Sequence, residues 1–235
     1  MTDHSAHARI AATETWIFDL DNTLYPPRHS LFDLVDQRIG AFIAHALDLA
    51  VDEARRVQKT YFRDYGTTLR GLMTEHDIDP RAFLDFVHDI DLRRVPPDPE
   101  LDRALGRLMG RKIVFTNGSR RHAERVMARL GIGRHFDGIF DIAAADYVPK
   151  PQVQGYHALI ERHAVDPRAA TMVEDIARNL VPASRLGMTT VWLRNDTAWG
   201  RAESDGDHVD HVIDDLTEWL TRLVAGPDDG VRAPA

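Results

Sequence analysis

The 235-residue chain reads as an α/β protein: a parallel sheet with helices on both faces, plus a small all-helical block inserted after the first strand. Three observations predict this. From residue 112 onward, short apolar runs alternate with amphipathic stretches, the signature of successive βα units. One further apolar run, TWIFDLD (Thr15 to Asp21), stands alone near the start. Between that run and residue 95 the periodic segments have helical spacing, and no strand pattern interrupts them.

Taken in order, Thr15 to Asp21 begins apolar and ends in acids, as a buried parallel strand does when it delivers polar groups at its carboxyl end. Leu31, Leu34, Val35, Ile39, Phe42, Ile43, Ala46 and Leu47 recur three or four apart and predict a helix, with further helices over 51–65 and 80–87. VPPDPE (Val95 to Glu100) breaks the pattern. Strands are then expected over 112–116, 138–142, 170–173, 188–193 and 208–213, and helices over 119–130, 152–163, 176–186 and 216–224. Gly131 reads as a helix stop, and the tail GPDDGVRAPA as frayed. An all-helical block after the first strand is placed to cover the carboxyl edge of the sheet, where ligands bind in open α/β folds.

Composition narrows the function. The formal charge of -8 argues against a nucleic-acid polymer, which demands a basic stripe. With no cysteine, thiolate metal sites and cysteine nucleophiles are excluded. The opening MTDHSAHARI has no long apolar run, and no stretch approaches a membrane span, so a soluble, cytoplasmic protein without a membrane partner is expected. Of 29 basic residues only Lys59, Lys112 and Lys150 are lysines, and Lys150 is fixed between two prolines.

Four sites fall at expected strand ends or in the loops beyond them. Asp19-Leu20-Asp21-Asn22-Thr23 places two carboxylates two apart, pointing the same way, a repulsive arrangement unless something binds beside them. Thr116-Asn117-Gly118-Ser119 is a hydroxyl followed by a small-residue turn that opens a helix and offers N–H groups to an anion. Pro149-Lys150-Pro151 is the third, and Glu174-Asp175 begins the fourth. Each alone has an ordinary reading, as a turn former, a helix cap or a surface turn. Their order at one sheet edge is what singles them out.

Together these four motifs resemble the haloacid dehalogenase (HAD) superfamily of hydrolases: DxDxT, a Ser or Thr after a strand, a Lys, and an acidic pair. The stretches DLDNTLYP, VDQRIGAFI, YGTTLRGLM, FVHDID, FTNGSRRHAERV, VPKP and VEDIARNL are further similar to its pyrimidine 5'-nucleotidase branch, a likeness running from about Thr15 to Leu193. The resemblance implies a Rossmann-like core over 1–24 and 95–235 with a helical cap over 25–94. It implies a Mg²⁺-dependent phosphatase in which Asp19 attacks phosphorus and Asp21 serves as acid and base. Mg²⁺ would be held by the Asp19 carboxylate, the Asp21 backbone carbonyl and Asp175, with Glu174 ligating or standing behind. Thr116, the Asn117 N–H and Lys150 would hold the phosphoryl oxygens. Many relatives carry a second Asp after the acidic pair, whereas Asn179 stands here, which puts direct ligation at that position in doubt.

The implied substrate is a small phosphorylated metabolite, a pyrimidine nucleoside 5'-monophosphate such as UMP or CMP. The alternatives are another small ester, such as a sugar phosphate, or a silent binding protein on the same fold. Dehalogenating relatives lack the second carboxylate that Asp21 supplies, and a phosphonatase would need an imine-forming lysine, for which Lys59 is the cap's sole candidate. The motifs handle only the phosphoryl group, so specificity is expected from the insertion, with Thr68 and Arg70 in YGTTLRG as substrate contacts. His208 and His211 are expected on opposite sides of a strand, as surface residues.

Overall fold

The computed structural model describes residues 8–195, 197 and 200–225; the tail expected to be frayed lies outside the described residues. Strands β1 (Thr15–Phe18), β2 (Arg111–Phe115), β3 (Gly138–Phe140), β4 (Ala170–Glu174), β5 (Thr189–Leu193) and β6 (His211–Ile213) form one parallel sheet in the order β3-β2-β1-β4-β5-β6. Side chains alternate across a strand, and here both sets are buried. Trp16, Phe18 and Val114 join one hydrophobic cluster, whereas Ile17, Ile113 and Phe115 join another. The strands therefore read as continuous apolar runs.

Helices α5 (Pro99–Arg107), α6 (Arg120–Leu130) and α9 (Leu216–Val224) supply the first cluster with Leu101, Val126 and Leu220. Helices α7 (Val153–His163) and α8 (Leu180–Arg185) supply the second with Tyr156, Leu159 and Leu180. No helix among the described residues is long and apolar enough to cross a membrane.

Between β1 and β2 the chain forms α1 (Leu31–Ala46), α2 (Val51–Tyr65), α3 (Thr68–His76) and α4 (Pro80–Val87). Phe42 of α1 meets Phe83 and Phe86 edge-on, with ring centroids 5.1 and 5.5 Å apart. Arg125 donates to the carbonyls of His88 and Ile90, and Arg129 to that of Val95, so α6 anchors the segment by which the insertion returns to the sheet.

The structure adds two helices to those expected. Helix α5 begins inside VPPDPE: Asp98 accepts from the Glu100 and Leu101 N–H groups and Pro99 takes the first turn, so the end of the breaker is a helix start. Helix α3, capped by Thr67, takes in Thr68 to Gly71 of YGTTLRG, where no helix was expected. Residues 177–179 form a 3₁₀ turn before α8 instead of one long helix. The last strand begins at His211, so His208 lies outside it and the expectation of both histidines on one strand is corrected. Gly131 ends α6 with φ +81°, as expected.

Candidate active site

Backbone register brings the four motifs together. Phe18 is aligned with Val114 on one side and Val173 on the other, so the residues following β1, β2 and β4 emerge at one edge. Strands β2 and β4 lie on opposite sides of β1, which makes this edge a topological switch point. Asp19 and Asp21, Thr116 to Gly118, Lys150, and Glu174 and Asp175 all line a cavity of about 160 Å³ there. The opposite wall comes from the insertion, with Phe32, Val35, Ile39, Phe62, Leu69 and Phe83.

Lys150 is the electrostatic centre. Its side chain is 1% exposed, and Nζ lies 2.6 Å from Asp19 Oδ1, 2.6 Å from Glu174 Oε2 and 2.9 Å from the Phe115 carbonyl. Three donors thus meet three oxygens. The lysine backbone is clamped as well: its N–H donates to Asn117 Oδ1 at 2.8 Å, while Asn117 Nδ2 donates to its carbonyl at 3.3 Å. Burial disfavours the ammonium, but the Asp19 and Glu174 carboxylates outweigh that and raise its pKa. The Thr116 hydroxyl accepts from the Gly118 N–H. A Cβ on Gly118 would stand 3.2 Å from that hydroxyl oxygen and 3.4 Å from the His122 ring, so a larger residue here would crowd the Thr116 hydroxyl.

Asp19, Glu174 and Asp175 are buried, with candidate ligand oxygens within 4.8 Å of one another. Burial first, and then the Glu174 carboxylate, push Asp19 up to about 7. Burial, followed by Glu174 and Asp19, also raises Asp175 well above the carboxylate range. Three carboxylates share one ammonium, so the donor set fits a hard divalent cation with oxygen ligands. Asp175 is oriented by Asn195, whose Nδ2 donates to Oδ2 at 2.6 Å, and its carbonyl accepts from Trp192 Nε1. Glu174 is committed to Lys150 and to the Ile176 N–H, which places it behind Asp19 and Asp175 as a support. Asn179 is buried and lines the cavity.

Asp21 sits in the opposite environment. Its Oδ1 is 2.8 Å from His122 Nε2 and accepts from the Tyr25 hydroxyl at 2.6 Å. Burial works to raise this carboxyl, but the charge and hydrogen bond of His122, then Tyr25, prevail and hold it at about 2. His122 is fully buried, and His88 stacks on it with ring centroids 4.3 Å apart and planes 10° apart. His88 Nδ1 is bonded to Ser119 Oγ, and burial, then the neighbouring His122, lower its pKa to about 3.

Every core-motif residue expected from the sequence is therefore at this edge, whereas the insertion differs from expectation. Thr68 lines the cavity, but its buried hydroxyl already donates to the Gln58 carbonyl. Arg70 is not among the cavity-lining residues; helix α3 carries its backbone N–H onto the Thr67 cap instead. Four further residues stand at the site with no role assigned to them by the sequence motifs: Tyr25, His88, His122 and Asn195. A signal existed for His122, three residues after the Ser119 cap and so on the first turn of a helix opening at the site. Asn195, two residues past β5, and His88, beyond α4, carry no such sequence mark.

A buried acidic edge under a helical insertion is the arrangement expected from the motif resemblance, and the comparisons bear on it directly. Residues 13–187 match the family model for haloacid dehalogenase-like hydrolases, and the chain belongs to that family. It is 33% identical over 138 residues to Phosphate metabolism protein 8 of Saccharomyces cerevisiae; the match takes in 54% of this chain and 43% of that protein. Its structure is similar to that of CbbY from Rhodobacter sphaeroides in complex with xylulose-(1,5)bisphosphate (TM-score 0.63, 19% identity, 88% of this chain and 96% of that one). It is also similar to a HAD phosphatase from Thermococcus onnurineus (TM-score 0.60, 21% identity, 90% and 98%). L-2-haloacid dehalogenase from Xanthobacter autotrophicus shares the fold too (TM-score 0.57, 17% identity, 90% and 98%). At these identities the solved structures speak to fold alone.

Proposed function

We propose that this hydrolase is a Mg²⁺-dependent phosphomonoesterase working through an aspartyl phosphate on Asp19. The observation that carries the reading is a second carboxylate, Asp21, held by His122 and Tyr25 at the same cavity as Asp19. A displacement ending in halide loss leaves Asp21 without a task. Ester cleavage needs a group that moves protons at the leaving oxygen.

In this reading an Asp19 carboxylate oxygen bonds to phosphorus as the P–O ester bond breaks. The leaving oxygen takes a proton from the Asp21–His122 pair. Asp21 then accepts a proton from water, the resulting hydroxide bonds to phosphorus, and inorganic phosphate leaves with Asp19 restored. The Thr116 hydroxyl, the Asn117 N–H and Lys150 hold the phosphoryl oxygens throughout. Mg²⁺ held by the Asp19 carboxylate, the Asp21 carbonyl and Asp175, with Glu174 behind, would supply positive charge to those oxygens.

For the substrate we propose a pyrimidine nucleoside 5'-monophosphate, UMP or CMP. The motif resemblance supports it, as does a cavity wall rich in Phe32, Phe62 and Phe83, which suits a flat base better than a polyhydroxylated chain. The test is phosphate release from UMP, CMP and sugar phosphates, with and without Mg²⁺, by the protein and by Asp19→Asn. Mg²⁺-dependent release favouring the nucleotides and abolished in the variant is expected. Release undiminished in Asp19→Asn would refute the mechanism.

A further inference from the structure

His122 is an expensive residue where it stands. It is fully buried, and its Nδ1 has no hydrogen-bond partner among the described residues. A buried polar atom without a partner is costly, and a phenylalanine or leucine would fill a similar volume without that cost. What the histidine alone provides is the bond from its other ring nitrogen to Asp21 Oδ1 at 2.8 Å.

The surroundings fix this ring. Ser119 caps α6 by accepting from the His122 N–H, and its hydroxyl also meets His88 Nδ1 at 2.9 Å. His88 lies flat on His122, and its carbonyl is held by Arg125 of the same helix. The His88 ring therefore covers one face of a ring whose free edge reaches Asp21. Tyr25, also fully buried, approaches the same carboxylate oxygen.

We propose that His122 is a positioning residue for Asp21: seated by His88 from the inserted helices, it aims the Asp21 carboxylate at the leaving oxygen. The assignment rests on the phosphomonoesterase reading. It adds a link between the insertion and the proton-moving group, because His88 belongs to the segment returning from α4 and His122 to α6. The Asp21 rotamer is thereby tied to the seating of the helical block, which also walls the cavity.

The experiment compares kcat/KM for an alkyl phosphate (UMP) and for p-nitrophenyl phosphate, whose leaving group departs without a proton. Two variants divide the roles. His122→Phe keeps the stack under His88 and removes the bond, whereas His122→Gln returns an N–H to Asp21. His122→Phe should lower kcat/KM for UMP by about 10²-fold, in the range of a lost acid–base contribution, and that for p-nitrophenyl phosphate by less than about tenfold. His122→Gln should recover most of the loss on UMP. An equal fall on both esters, or no fall, overturns the assignment and leaves the phosphatase reading standing. Hydrolysis of neither ester by the unaltered protein would remove that reading, and the assignment with it.

Discussion

Replacing Lys150 by methionine keeps the length of the side chain and deletes the charge between Asp19 and Glu174. Two contacts of 2.6 Å are lost at a position 1% exposed. At an effective dielectric of about 20, each contact is worth about 6 kcal/mol of Coulomb attraction, most of it offset by the desolvation of the ions. Stranding a buried charge by removing its partner costs about 3–5 kcal/mol. A second route bounds the figure. A stranded carboxylate escapes by taking up a proton, which for a group of ordinary pKa near 4 costs about 4 kcal/mol at pH 7. Both routes place the loss for Lys150→Met at about 3–5 kcal/mol. The assay is urea unfolding of both proteins at pH 7 in chelator, repeated at pH 4.5. Raised carboxyl pKa values in the folded variant penalise it above the unfolded value and not below, so the deficit should shrink at pH 4.5. A difference under about 1 kcal/mol at pH 7 would show that the ammonium does not hold these carboxylates together.

Asp175→Ala should raise the Mg²⁺ concentration needed for half-maximal activity by at least about tenfold, since few anionic ligands are available; an unchanged half-saturation in a Mg²⁺ titration rejects the ligand assignment. Arg70→Ala, outside the cavity lining, should leave the ranking of UMP against sugar phosphates unchanged, whereas Phe62→Ala should alter it; kcat/KM across the panel decides. His88 contributes an acid sensitivity, because its unfolded pKa of 6.5 falls to about 3 in the fold. The unfolded chain then binds the extra proton between those values, so stability drops as pH falls below 6.5, by up to about 1.4 kcal/mol per pH unit. His88→Phe keeps the stack and should lose about 1.6 kcal/mol less than the parent between pH 6.5 and 5; equal slopes in urea titrations count against the buried neutral ring.

The core was legible because its signals are local. An apolar run ending in DLD needs a sheet edge, and TNGS needs a helix to cap, so β1, β2 and the start of α6 followed from a few residues each. Lys150 was legible as a rare residue held between prolines, yet its partners were not. The Asn117 amide that clamps it is 33 positions away, and nothing local marks the pair. The insertion was legible as helices but not as a surface. Gly66, with φ +84°, ends α2 as a breaker should, whereas Gly71 is inside α3, where an added Cβ would come within 2.5 Å of Tyr61. That glycine serves the contact between α2 and α3. Helix α3 in turn explains why Arg70 leaves the cavity: the helical register directs Thr68 and Leu69 inward and not the arginine.

The contrast between Asp19 and Asp21 carries the final step. Two carboxylates two residues apart share a loop and a cavity, yet one is pushed up to about 7 and the other held near 2. Environments that drive a pair apart assign different tasks to its members. Asp19 faces Glu174 and Asp175, with a single ammonium among them, so its carboxylate is kept electron-rich and in need of further positive charge. A phosphoryl group accompanied by a hard cation brings that charge to Asp19. Asp21 is already matched by His122 and Tyr25 and gains little from a cation at its side chain; in the proposed mechanism the Asp21–His122 pair, not the carboxyl alone, exchanges protons. Under the proposed mechanism the rare lysine stands against the nucleophile and the buried histidine against the carboxylate that works on the leaving oxygen.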